Sequence, residues 1–332
     1  MKSAASPKLL STSILSTSLL STVLLSSLLL TACGSGKQPE RFDELTQQGA
    51  HSLCLNHNAS FAFAGSLHHG GSLWRIQPFD RLYNWNHQAG KSSSIVSCDF
   101  SPEGDFVATT DNRSIALWNS KTGEAIWLWN APGDIKDISL SSNGQYALLA
   151  MADYTATLFD IKNGGIKRTL RHDGIVSDVS MDKQGKLAAS ASDDSSARIW
   201  DLNSGKQLHL LKHDNQVRSA EISADGRLVF TSALGDPGRL WDTQTGKVIS
   251  EFPITSGFFN SARFSKDNSQ LLTGSSAGKI QLWETNTAQL KNTWQAVPRN
   301  KWVSNNVLIE DVAFAKQGYV ASGSNGRIFY LK

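Results

Sequence analysis

An all-β fold of seven four-stranded modules in a closed ring, a β-propeller, is what this sequence predicts, and three observations predict it. The segment Ala197-Arg198-Ile199-Trp200-Asp201 recurs in degraded copies ending at Trp74, Trp118, Phe159, Trp200, Trp241, Trp283 and Leu331, with gaps of 44, 41, 41, 41, 42 and 48 residues. A period of about 40–45 residues is the spacing of propeller blades with four strands each. Turn signals repeat at the same interval, and no stretch shows a helical period.

Residues 1–32 read as an export signal, not as fold. Lys2 and Lys8 make a short positive start, residues 9–30 are only Leu, Ser, Thr, Ile and Val, and Ala32 closes the segment. The interspersed Ser and Thr make a stable membrane span marginal. Leu30-Thr31-Ala32-Cys33 resembles a bacterial lipobox, which implies cleavage before Cys33 and acylation of that cysteine, palmitate included. Several acyl chains together give stable anchoring where one does not. Gly34 stands where the inner-membrane retention pattern has Asp, so the resemblance implies the outer membrane, with an inner-membrane lipoprotein facing the periplasm as the alternative. Residues 33–40 are expected to be a flexible tether, and 41–332 the propeller.

Within the propeller each unit carries the same punctuation. A first turn falls at Pro102-Glu103-Gly104, Ser142-Asn143-Gly144, Lys183-Gln184-Gly185, Ala224-Asp225-Gly226, Lys266-Asp267-Asn268 and Lys316-Gln317-Gly318. A second falls at Thr122-Gly123, Asn163-Gly164, Ser204-Gly205 and Thr245-Gly246. Gly or Asn at the closing position supplies the positive φ that tight hairpins need. The chain ends on Arg327-Ile328-Phe329-Tyr330-Leu331, a third strand with no fourth behind it. Arg41-Phe42-Asp43-Glu44-Leu45 precedes the first inner strand, where a fourth strand would lie. The N-terminal segment is therefore expected to complete the last blade, protecting edges that an open array would expose.

The strand endings Ile199-Trp200-Asp201 and Leu240-Trp241-Asp242, with looser copies at Trp118, Phe159 and Trp283, resemble the WD40 repeat family over nearly all of 41–332. The resemblance implies a structural hydrogen-bond network of a His, an Asp and the Trp. His172, Asp194 and Trp200 supply all three types; Asp153 and His213 are partial survivors, and elsewhere the Asp position aligns with Asn112, Gly235, Ala277, Asn325 or His68.

Charge excludes an electrostatic nucleic-acid surface: formal charge is +3, and without Lys2 and Lys8 there are 30 basic against 29 acidic residues, with no basic run. No nucleophile elbow, phosphate loop or zincin pair is present, so neither an enzyme nor a cofactor is expected. Five of eight histidines lie between 51 and 87; His51, His68, His69 and His87 fall on loops of one face, the alternative of a metal- or small-ligand-binding propeller enzyme. Cys54 and Cys98 fall on inner strands of adjacent blades one residue out of register, so their side chains should face opposite ways and remain buried thiols.

Trp127 and Trp129 alternate on an outer strand and are expected to rest on the neighbouring blade. Trp302, in the irregular segment 295–306 with Arg299 and Lys301, and Phe258 are the aromatic and cationic anchors of a candidate protein-binding face. The resulting expectation is a non-catalytic scaffold, a monomer or one subunit of a hetero-complex, that binds an envelope or outer-membrane protein.

Overall fold

A computed structural model describes residues 36–66, 70–87, 93–299 and 307–332. These form seven four-stranded antiparallel sheets, as the repeat spacing predicts, and no helix among the described residues is long and apolar enough to cross a membrane. From channel to rim, blade one is Ser52–Leu55, Phe61–Ser66, Gly70–Arg75 and Asp80–Trp85. Blades two to six have inner strands Ser97–Phe100, Ile135–Leu140, Val176–Met181, Val217–Ile222 and Phe259–Phe264. Their outer strands are Ala125–Asn130, Ile166–Arg171, Lys206–Lys212, Val248–Phe252 and Gln289–Gln295.

Local sequence explains the hairpins. At the inner turn of blade five Gly226 has φ 75°, and at the same turn of blade six Asn268 takes φ 59°, the residue type that tolerates this region best after glycine. The third and fourth strands of blades one to six slip register immediately before the repeat's terminal aromatic, for instance between Ile199 and Trp200. A bulge bends a strand and re-aims its side chains. Repeated at one position, it turns each aromatic into the interior.

Each interface between neighbouring blades holds its own apolar cluster. Outer-strand aromatics lie on the next blade's terminal aromatic: Trp85 stacks on Trp118 at 4.9 Å, and Phe252 meets Trp283 edge-on at 5.5 Å. Blade three ends in the smaller Phe159, and there two rings converge, Trp129 at 3.7 Å and Trp127 at 5.5 Å. Aromatic pairs in these geometries add about 0.5–1.5 kcal/mol beyond their buried area.

Blade seven is built from both ends of the propeller. Ile309–Phe314, Tyr319–Gly323 and Arg327–Leu331 are joined by Arg41–Glu44, antiparallel, with Arg41 opposite Tyr330 and Glu44 opposite Arg327. The Arg41 guanidinium lies 3.5 Å over the Tyr330 ring, the Tyr330 hydroxyl donates to Asp43 at 2.8 Å, and Arg327 donates to Glu44 at 2.8 Å.

The tether expectation for 33–40 narrows from Gly36 onward. Lys37 pairs in parallel with Trp294: its N–H donates to the Thr293 carbonyl at 2.8 Å, and Gln295 N–H donates back at 3.0 Å. Lys332 Nζ holds Glu40 at 2.8 Å. The chain can lie this close because a side chain at Gly36 would strike Thr293. Composition alone hid this, since an exposed outer strand accepts any backbone.

The cysteines are also a correction. Cys54 and Cys98 form a disulfide with a Cα–Cα distance of 6.0 Å, within the usual span for such bridges. Their side chains do leave opposite faces of their sheets, as the register implies. Adjacent blades stack face to back, however, so opposite directions are what lets two side chains meet between them. Both lie in one inter-blade cluster with Phe63, Trp85 and Trp118.

Candidate functional site: histidine ties, channel and loop faces

Histidines that could do chemistry are tied into blade interiors. In blade four His172 Nδ1 lies 3.0 Å from Asp194 Oδ2 and Nε2 lies 2.7 Å from Ser190 Oγ. The Trp200 indole N–H donates to the same Ser190 oxygen at 2.8 Å. Because that oxygen accepts from Trp200, its own proton goes to His172 Nε2, which assigns the Nδ1–H tautomer pointing at Asp194. Arg198 braces Asp194 at 3.0 Å and Asp173 at 2.8 Å. Burial outweighs the carboxylate and lowers the His172 pKa to about 4, keeping the ring neutral.

By atom type this is an Asp–His–Ser array, the arrangement of a hydrolytic nucleophile. Ser190 is 0% exposed, though, and its oxygen is already shared by Trp200, so no substrate carbonyl reaches it. The array is a tie.

The same tie recurs where the aligned Asp position was empty. In blade two His87 lies 2.8 Å from Thr109 Oγ1, Trp118 donates to that oxygen at 2.8 Å, and Asp111 stands 3.7 Å from His87. In blade five His213 lies 2.9 Å from Thr231 Oγ1, Trp241 donates to it at 2.7 Å, and Asp236 stands 3.9 Å away. One-residue slips in the turn put Asp111 in place of Asn112 and Asp236 in place of Gly235. Sequence reasoning also missed the hydroxyl that joins His to Trp. Its signal was available: Ser190 and Thr231 stand ten residues before their Trp and Thr109 nine before, while Thr273 keeps the ten-residue offset to Trp283 in a blade without the histidine.

The inner strands surround a cavity of about 1160 Å³ lined largely by their own residues. Its wall carries one charged residue or more per strand from blade two onward: Asp99, Asp137, Asp178, Glu221, Arg263 and the pair Glu310 and Asp311. Several reach across to the next blade. Asp99 accepts from Leu140 N–H at 2.7 Å, Asp137 from Val179 N–H at 3.2 Å, Asp178 from Ala220 N–H at 2.6 Å and Asp311 from Leu55 N–H at 2.8 Å. Arg263 donates to both Asp311 oxygens at 3.1 and 3.2 Å and approaches His57 at 3.3 Å.

Burial pushes the Asp99 carboxyl up to about 8 and Glu221 and Glu310 to about 7, while burial and Asp137 raise Asp178. Crowding by the cavity wall around an imidazole that still opens to the cavity, then the charges of Arg263 and Lys183, lower His57 to about 3. A charged residue in the middle of each of these inner strands was visible in the sequence, but nothing there said that the residues share one wall.

The structure scatters the remaining predicted residues. Cys33, His68, His69, Lys301 and Trp302 lie outside the described residues. His51 is exposed beside the cavity. His87, the fourth candidate for a metal, is withdrawn from that role because both ring nitrogens meet hydroxyls, Ser114 at 2.6 Å and Thr109 at 2.8 Å. Among the described residues no three His, Cys, Asp or Glu side chains are grouped as a metal would require. Arg299 donates to the carbonyls of Thr46, Gln47 and Asn325, which makes it a clasp on the entering chain. Phe258 is half-buried on the loop leading into blade six, its N–H held by Ser276.

Comparison with known sequences agrees with this geometry. The family described as WD domain, G-beta repeat matches residues 82–119, 164–201 and 246–284, which supports a WD40-repeat family. Each match starts in or just before the outer strand of one blade and finishes on the third strand of the next, one strand out of phase with the blades, as the seam at blade seven requires. A 125-residue stretch is 24% identical to eukaryotic translation initiation factor 3 subunit I of Coccidioides immitis, covering 36% of this chain and 36% of that protein. The same-named proteins of Lodderomyces elongisporus and Aspergillus terreus are 26% identical over 113 residues and 28% over 95, covering 32% and 28% of this chain and 31% and 27% of theirs. The chain spans about a third of the length of the curated relatives it matches.

Proposed function

We propose that this chain is a non-catalytic protein-binding scaffold, anchored through acylated Cys33 at the outer membrane on the periplasmic side, that offers its loop faces to another envelope protein. The observation that carries the scaffold reading is where the reactive groups are spent: His87, His172 and His213 hold hydroxyls inside blades, and the channel carboxylates of Asp99, Asp137, Asp178 and Asp311 hold backbone of the next blade. What is left for function is a rigid ring and its loops. The similarity to proteins named as subunits of an initiation factor is support of the same kind. Those relatives are named as eukaryotic and match over about a third of this chain, so they say nothing of a compartment.

Support for export comes from the Cys54–Cys98 disulfide, a bond that persists in oxidising compartments, together with the Leu30-Thr31-Ala32-Cys33 signature. The test is crosslinking in intact envelopes followed by affinity purification of the full chain. A specific envelope protein should be recovered, and recovery should fall several-fold for Phe258→Ala at an unchanged melting temperature. A chain with unrelated surface substitutions should recover the partner unchanged; recovery that is equally unchanged for Phe258→Ala overturns Phe258 as an anchor, and no partner at all overturns the scaffold reading. A Cys33→Ser chain that still sediments with membranes overturns the anchor.

A further inference from the structure

We propose that two copies of this chain associate through the outer strand of blade two, Ala125–Asn130, which pairs antiparallel with its own counterpart and joins two blades into one eight-stranded sheet. The inference goes beyond the scaffold and anchor readings and depends on neither.

The first observation is that this edge lacks the protection the other blades carry. Ala125-Ile126-Trp127-Leu128-Trp129-Asn130 holds no charged side chain. Every other outer strand holds at least one, from the single Glu251 of blade five to Lys167, Arg168 and Arg171 of blade three. Charge on an edge strand is what keeps a sheet from pairing with another chain. Ile126 is 47% and Leu128 54% exposed. Exposed aliphatics alone do not single the strand out, because blade four exposes Leu208 and Leu210 between Lys206 and Lys212. Their coincidence with an uncharged strand occurs in blade two alone.

The second observation is the direction of the backbone. Ala131 N–H donates to the Arg113 carbonyl, and the register runs without a slip from there to Trp127 opposite Leu117. Bonded and non-bonded pairs alternate along an antiparallel ladder, so Trp127 and Trp129 turn their backbone groups towards the third strand and Leu128 and Asn130 turn theirs outward. Among the described residues the strand pairs only with Ser114–Asn119. The fold already extends another blade in this manner, since Lys37 adds to the outer strand of blade six through two backbone hydrogen bonds.

Charge also selects the occupant. A strand set against its own copy brings like residues close, which in blades three and four would crowd cations together. In blade two nothing charged meets. An antiparallel pair about a two-fold axis is self-complementary and keeps the faces of the two strands in common. Centred on Trp127 or on Leu128, it lays Ile126 and Leu128 of both copies on one surface, where cross-strand apolar pairs stabilise a sheet.

The test is sedimentation equilibrium of the purified full chain in density-matched detergent. The unaltered chain should show about twice the mass of one carrying Ile126→Lys and Leu128→Lys, whose facing strands repel. A chain carrying Ile126→Glu and Leu128→Glu should likewise be single, and mixing the two variants should restore the doubled mass. Leu208→Lys with Leu210→Lys, the same change on blade four, should leave the dimer intact. A dimer that survives the blade-two lysines, one lost equally through the blade-four lysines, or a mixture that stays single overturns the proposal. So does an unaltered chain that sediments singly, whether or not another envelope protein occupies this edge.

Discussion

Blades three and four occupy neighbouring sectors and solve the same packing problem with opposite chemistry. Where blade four has His172, Ser190 and Trp200, the positions 41 residues earlier in blade three hold Ala131, Leu149 and Phe159. All three polar members are gone together, and the replacements are 8%, 0% and 0% exposed. Only the turn carboxylate persists, Asp153, which accepts from the Thr155 hydroxyl at 2.6 Å much as Asp194 accepts from Ser196 at 2.6 Å. The missing volume is filled from outside by Trp127 and Trp129. Between these two blades the whole relay is kept or discarded together, whereas blade six keeps the Trp283–Thr273 hydrogen bond at 2.9 Å without a histidine. Removing one partner strands a donor or acceptor without water, whereas exchanging every partner for apolar groups is close to neutral.

The comparison breaks most sharply at Phe159. Phe159→Ala removes the surface on which two tryptophans rest, and urea unfolding should show a loss of about 3–5 kcal/mol. A loss below about 1 kcal/mol would mean that the two rings do not depend on it. Next in size is Ser190→Ala, which orphans the Trp200 N–H and His172 Nε2 at once and should cost about 1–3 kcal/mol. Its sharper form is the triple exchange His172→Ala, Ser190→Leu, Trp200→Phe. That should be less destabilising than the three single changes added, by about 1 kcal/mol or more. Strict additivity would refute the idea of a unit.

The smallest effect is in acid. His172 and His213 have pKa values of about 4 in the folded chain against 6.5 unfolded, so the unfolded state takes up protons first as pH falls. Their share of stability is complete above pH 6.5 and is lost as pH drops towards 4. Between pH 6.5 and 5.5 each histidine should remove about 1 kcal/mol. Melting curves of His172→Asn should show a shallower acid limb, while Ala131→Gly in blade three should leave the slope unchanged. Asp99, Glu221 and Glu310, raised to between about 7 and 8, act in the opposite direction: they weaken the fold as pH rises from about 4 to 8.

How much of this the sequence discloses depends on whether a feature repeats. Blade number, turn positions and the completion of blade seven by Arg41–Glu44 were legible because a 41-residue period samples each of them several times. Trp127 and Trp129 were placed correctly because an alternating outer strand can face only one neighbour. Asp111 and Asp236 were not legible, since a rigid offset cannot see one-residue slips in a turn whose hydrogen bonds tolerate them. The disulfide was misjudged because register describes one sheet, whereas the bond crosses between two. Arg299 read as an exposed anchor; three carbonyls it holds come from segments far apart in the chain.

The seam at blade seven makes the ring a late event in the life of the chain. Asp43 meets Tyr330 across 287 positions, so the strand made first waits for the strand made last. Contacts so distant must overcome loop-closure entropy before they return any stabilisation, and folds dominated by them assemble slowly. Without Arg327–Leu331 in place, Arg41–Glu44 has no strand to pair with and the ring is an open arc with two exposed flanks. Any chaperone or protease that samples this protein meets the arc first, and a nick that frees either partner of the seam returns the molecule to it.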